Sequence, residues 1–129
     1  MTDYEQFSVV FNQAEPSEAV RQRAEYMMSK LARVSTHIMR CVMTIEGRHR
    51  HHHQGNLFHI SIRVRLPFRD VVVTRDPERD HAHEDIYVAM RDAVAAAKRQ
   101  LQTYEEEFGG KQAQHEQERF ESRPEKQPD

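Results

Sequence analysis

Between Asp85 and Phe108, apolar side chains return every three or four residues: Ile86, Met90, Ala93, Ala97, Leu101, Tyr104 and Phe108. That spacing lays them in one stripe along a helix from about Glu84 to Phe108. A stripe of this length needs a sheet or a second helix to cover it. Arg91, Lys98 and Arg99 fall off the stripe, so the same helix presents cations to water. The fold must cover the first face, and the function must account for the second.

The rest of the chain supplies the cover. Leu57 to Leu66 alternates strictly: Phe58, Ile60, Ile62, Val64 and Leu66 point one way, His59, Ser61, Arg63 and Arg65 the other. One face is buried and one is wet, as in an antiparallel sheet covered on a single side. His37 to Glu46 reads the same way, with Met39, Cys41, Met43 and Ile45 on its more apolar face. Tyr4 to Phe11 and Phe68 to Arg75 are expected to be the outer strands. Pro16-Ser17-Glu18 reads as a helix start with Ser17 as N-cap. Val20, Ala24, Met27, Leu31 and Val34 form the stripe of a first helix over about residues 17–33.

The order is therefore β-α-β-β-β-α. The expected class is α+β: a two-layer domain, with a four-stranded sheet and both helices packed on one face. The first two strands, joined through a helix, are candidates for parallel neighbours; the last three form a meander. Gly109-Gly110 is expected to stop the second helix. Beyond it Gln, Glu, Lys, Arg and Pro dominate, a composition too polar to offset the entropy of ordering. The expected division is a domain over 1–108 and a polar disordered tail over 109–129.

Composition narrows the function. The 129 residues carry 19 Lys and Arg against 21 Asp and Glu, a net charge of −2, so the chain as a whole does not announce a nucleic-acid binder. Nine His residues could reverse that sign on modest acidification. Cys41 is the single cysteine and lies in an apolar run, so it reads as a buried, inert thiol with no disulfide framework. No apolar run approaches the roughly 20 residues that span a bilayer, and the first residues lack a signal-peptide core. No membrane association is expected.

Three places resemble one known family. Ser17-Glu18-Ala19-Val20-Arg21 resembles its opening of helix one. The strand, Pro67 turn and strand from Ile60 to Val73 resemble its third and fourth strands. Asp85-Ile86-Tyr87 with Ala89-Met90, followed by Arg99-Gln100-Leu101, resembles its second-helix signature. The chain, from about Tyr4 to Tyr104, is thus similar to the ribosome hibernation-promoting factor family, also called the ribosome-associated inhibitor or sigma-54 modulation family. The resemblance implies a cytoplasmic, non-enzymatic stress protein. It implies binding to the small ribosomal subunit and its RNA, in the channel where messenger and transfer RNAs sit, and so a block on translation. One departure stands out. The family usually carries a dense Lys/Arg cluster at the end of helix two, where this chain has Glu105-Glu106-Glu107.

The candidate RNA contacts are rows of cations, because each neutralised phosphate releases counterions. Arg23, Lys30 and Arg33 share a flank of helix one; Arg91 and Lys98 share a flank of helix two, with Arg99 further outward. Arg21, inside the matching start of helix one, joins them. Arg63 and Arg65 lie about 7 Å apart along one strand face, with Arg40 expected beside them. For either helix taken alone, a solvated surface is the commoner reading; for the sheet arginines, solubility of an open face and phosphate binding weigh about equally. Tyr87 and Tyr104 lie on or near the stripe and read as packing residues. The loop Arg48-His49-Arg50-His51-His52-His53 reads as a polar hairpin or a pH-sensitive phosphate contact. His49/His51 and His81/His83 have no partners that complete a recognisable metal site. There is no Gly-rich phosphate loop, serine elbow or zinc-protease helix motif, so neither catalysis nor a cofactor is expected. The alternative is a protein-interaction module on the same fold, with RNA binding weakened or lost. An uncovered sheet edge would offer such a module a route to a homodimer.

Overall fold

The computed structural model describes residues 6–48, 57–75 and 85–122. Strand β1 spans Phe7–Asn12, helix α1 Glu18–Ser29, β2 Arg40–Arg48, β3 Leu57–Arg65, β4 Val71–Arg75 and helix α2 Ile86–Ser122. A single 3-10 turn, Lys30–Arg33, continues α1. The sheet order is β1-β2-β3-β4. β1 runs parallel to β2, with Phe7 opposite Cys41, and the other pairs are antiparallel. The expected α+β order, parallel first pair and meander are all present.

Period-two patterning explains the core. Cys41, Met43 and Ile45 of β2, Ile60, Ile62 and Val64 of β3, and Val71 and Val73 of β4 are buried on one sheet face. The helices cover that face: α1 lies against β1, and α2 against β3 and β4. The stripe of α2 is buried as its spacing requires, with Met90, Ala93, Ala97, Leu101 and Tyr104 fully enclosed. Tyr87 is the exception, 40% exposed on the outer side of the first turn. Asp85 caps that turn, its carboxylate accepting from Tyr87 N at 2.9 Å. Ser17 caps α1 in the same way, accepting from Val20 N at 3.3 Å.

Four expectations need correction. In α1 the deep position is Met28, fully buried, and Met27 is only half-buried. Four residues on from Ala24 is closer to a full 3.6-residue turn than three. Met39 is 59% exposed, because β2 begins at Arg40 and Ile38 fills the core just before it. β4 begins at Val71 rather than Phe68; Pro67 to Asp70 make the turn. Finally, α2 does not stop at Gly109-Gly110 but runs on to Ser122. Glycine ends a helix when it turns left-handed, and Gly109 does not. Within a helix it costs only about 1 kcal/mol relative to alanine, and the Glu- and Gln-rich residues around the pair are good helix formers. The expected polar tail thus begins as helix; residues 123–129 lie outside the described residues. Among those described, no helix is long and apolar enough to cross a membrane.

Candidate nucleic-acid interface

Packing α1 beside α2 leaves a cleft on the outer side of the helical layer, about 300 Å³ in volume. Exposed Arg23 and Lys30 border it from α1 and exposed Arg91 from α2. Half-buried Met27 and Val94 give it an apolar base. Tyr26 stands at its side, 52% exposed, with Lys30 Nζ 4.7 Å from the ring centroid. Arg91 Nε lies 3.7 Å from the Asp92 carboxylate, but the Arg91 side chain is well exposed and that of Asp92 partly so, and such pairs are screened by water. Three cations from two helices thus converge on one concave, partly apolar surface.

Arg33, Lys98 and Arg99 are exposed but do not border the cleft. Arg21 is engaged elsewhere. Its Nη1 donates to the Val9 carbonyl at 3.0 Å, its Nε lies 3.7 Å from Glu18, and its guanidinium sits 5.2 Å from the Phe11 ring centroid. It ties α1 to β1. Tyr26 was not singled out by sequence reasoning. A signal was there, since it sits three residues after Arg23 and four before Lys30, a helical aromatic flanked by cations.

The other three arginines gather on the opposite face of the sheet, which no described helix covers. Arg40 and Arg65 are directly opposite across β2 and β3, and Arg63 faces Val42 one step along. The four side chains line a shallow hollow of about 220 Å³. Arg63 Nη1 donates to Asp70 at 2.8 Å. Exposed Val10 and Val72 share this face. Helix cations and sheet arginines therefore form two separate sites.

The acidic end of α2 works inside the fold. Buried Ser35 donates its hydroxyl to Glu105 Oε2 at 2.5 Å, and His37 Nδ1 lies 3.0 Å from the same oxygen. Burial alone would raise the Glu105 carboxyl, but the Ser35 hydrogen bond and the His37 contact outweigh it and hold the group below its ordinary range. Glu107 lies 3.2 Å from Arg69, whose guanidinium sits 5.4 Å from the Phe108 ring centroid. Phe68 stacks on Phe108 at 5.4 Å, and its N–H donates to the Tyr104 hydroxyl at 3.3 Å. Burial pushes the Tyr104 phenol up from its ordinary value. These contacts fasten α2 to the α1–β2 connection and to the β3–β4 turn.

Cys41 is fully buried beside Met28, Sγ to Sδ 3.6 Å, and burial pushes its thiol up to about 12. It is the inert thiol the sequence predicts. The His-rich loop over 49–53, His81 and His83 lie outside the described residues. Among those described, no three His, Cys, Asp or Glu groups converge as metal ligands would.

This geometry can be set beside known proteins. No curated protein matches the chain. A crystal structure of the N-terminal domain of Protein Y from Thermus thermophilus has the same fold, with a TM-score of 0.55 at 19% identity, covering 74% of this chain and 93% of that one. The sequence pattern of the sigma 54 modulation protein / S30EA ribosomal protein family matches residues 7–108. That span takes in all four strands, α1 and the part of α2 that packs on the sheet, so the chain belongs to the sigma 54 modulation protein / S30EA ribosomal protein family.

Proposed function

We propose that this protein is a ribosome hibernation factor that binds RNA of the small ribosomal subunit through its helical layer. It inhibits translation by occupying the channel of messenger and transfer RNA, and it performs no chemistry of its own. A cytoplasmic location follows from that role. The observation that carries the reading is the convergence of Arg23, Lys30 and Arg91 on one cleft, in a chain of this family. Arg33, Lys98 and Arg99 extend the basic surface beyond the cleft, and Arg21 holds α1 on β1.

The acidic end of α2 does not oppose this. Glu105 lies 14 residues past Arg91, about 21 Å along a helix. The screening length at physiological salt is about 8 Å, so the cleft barely feels that charge. Glu105 and Glu107 also have partners within the fold.

Sedimentation with purified ribosomes across a salt series tests the reading. Three neutralised phosphates of single-stranded RNA give a log–log salt slope of about −2, so binding weakens about 20-fold between 50 and 200 mM salt. Arg23→Glu with Arg91→Glu is expected to abolish cosedimentation. Absence of comigration at low salt would sink the proposal.

A protein-interaction module is the second reading, and the uncovered sheet face favours it. Exposed Val10 and Val72 lie on it with arginine, a residue enriched at protein interfaces. It prevails if the helix reversals change nothing in ribosome association, while a pull-down recovers a protein partner that Arg40→Ala with Arg65→Ala loses.

A further inference from the structure

We infer that Tyr26 is a stacking platform for one unpaired nucleobase, whose flanking phosphates are held by Arg23, Lys30 and Arg91. This rests on the RNA-binding reading above and gives it a contact point. The core does not need Tyr26: Val20, Ala24 and Met28 fill the inner face of α1, and Tyr26 stands 52% exposed on the outer one. An exposed ring beside the apolar side chains of Met27 and Val94 offers a flat, water-poor surface of the kind a base covers. The surrounding charge is cationic, which selects a ligand that is apolar in the middle and anionic at its edges. A nucleotide within a single strand has that form. A duplex does not, because its bases are stacked on one another.

Lys30 prepares the site. Its ammonium lies 4.7 Å from the Tyr26 ring centroid. An exposed cation–π contact of this kind is weaker than base–aromatic stacking. An arriving base therefore displaces the ammonium, which moves by rotation of its long stem toward the phosphate beside that base. Stacking itself tolerates any base, because every base has a π-face. The family's charge contacts hold a strand in place; this contact requires the strand to be unpaired.

The sequence contains no tryptophan, so Tyr26→Trp places the sole indole of the 129-residue chain at the platform. Titration with a short single-stranded RNA is expected to quench its fluorescence saturably. Inorganic polyphosphate, which carries charge but no bases, is expected to compete without quenching, and a duplex of equal length not to quench. Tyr26→Ala should weaken oligonucleotide binding about tenfold with an unchanged circular dichroism spectrum, and Tyr26→Phe should bind like the parent. If the oligonucleotide binds without quenching the indole, or Tyr26→Ala binds as tightly as the parent, the stacking inference is wrong and RNA binding through charge stands. If the parent binds neither oligonucleotide nor ribosome, the RNA reading fails and takes this inference with it.

Discussion

Gly47 is buried in β2 beside the chain leaving β1, where Gln13 adopts a left-handed φ of 54°. A Cβ at Gly47 would run into the Gln13 carbonyl oxygen, a backbone atom that cannot rotate away. Gly47→Ala should therefore destabilise the fold by about 1–3 kcal/mol, seen as a lower thermal midpoint by circular dichroism. A melt that overlays the parent's would show that the two strands separate freely. Glu105 makes a different prediction, one that depends on pH. Its carboxyl is held below its ordinary value of 4.5. The folded state therefore favours the ionised form, and this stability is present above pH 4.5 and is lost as pH falls through the lowered value. Glu105→Gln should cost about 1–3 kcal/mol at neutral pH. The gap to the parent should narrow as pH falls below 4.5, as a series of denaturant unfolding curves from pH 7 into acid would show. A gap that does not narrow anywhere in acid would mean that the ionised contacts to Ser35 and His37 are not what Glu105 contributes.

Among the elements, the sheet was the most legible. Strict alternation in β3 placed the side chains from Phe58 to Arg65 on the correct faces, because a one-residue slip would turn the whole strand inside out. Met39 shows the limit of that reading: alternation was extended one step past the end of a strand, and the turn, not the period, decided where the side chain went. Gly109-Gly110 shows another. A glycine pair permits a helix end without compelling one. The contacts of Glu105 with Ser35 and His37 bridge 70 and 68 residues, and no local pattern encodes them. The triple glutamate therefore looked like a defect in a binding surface when two of its members are fasteners. The open sheet face carries its own prediction. Arg40 and Arg65 are paired directly across the strands, and like charges in that position cost about 0.2–1 kcal/mol. Arg65→Thr should raise stability by such an amount in low salt and by less in high salt, measured by urea unfolding. No gain at low salt would show that the two guanidinium groups diverge into solvent without repelling one another.

At the scale of the whole molecule, charge is organised by face, and the net value of −2 conceals it. The helical layer carries a cationic cleft, the uncovered sheet an arginine hollow, and the far end of α2 its acids. Composition alone does not announce a nucleic-acid partner because it averages these regions together. The order of elements, the family resemblance and the arginines of the open sheet face could be read from the chain; the meeting of Arg23, Lys30 and Arg91 at one cleft could not, since it depends on how the two helices pack. The same stacking gives the molecule an internal clock. Cys41, the only thiol, is sealed beneath α1 with its proton held up to about 12, so a thiol reagent reaches it only when the two layers part. Where trapping outpaces reclosing, the rate at which that reagent consumes the native protein counts openings of the core, with no denaturant.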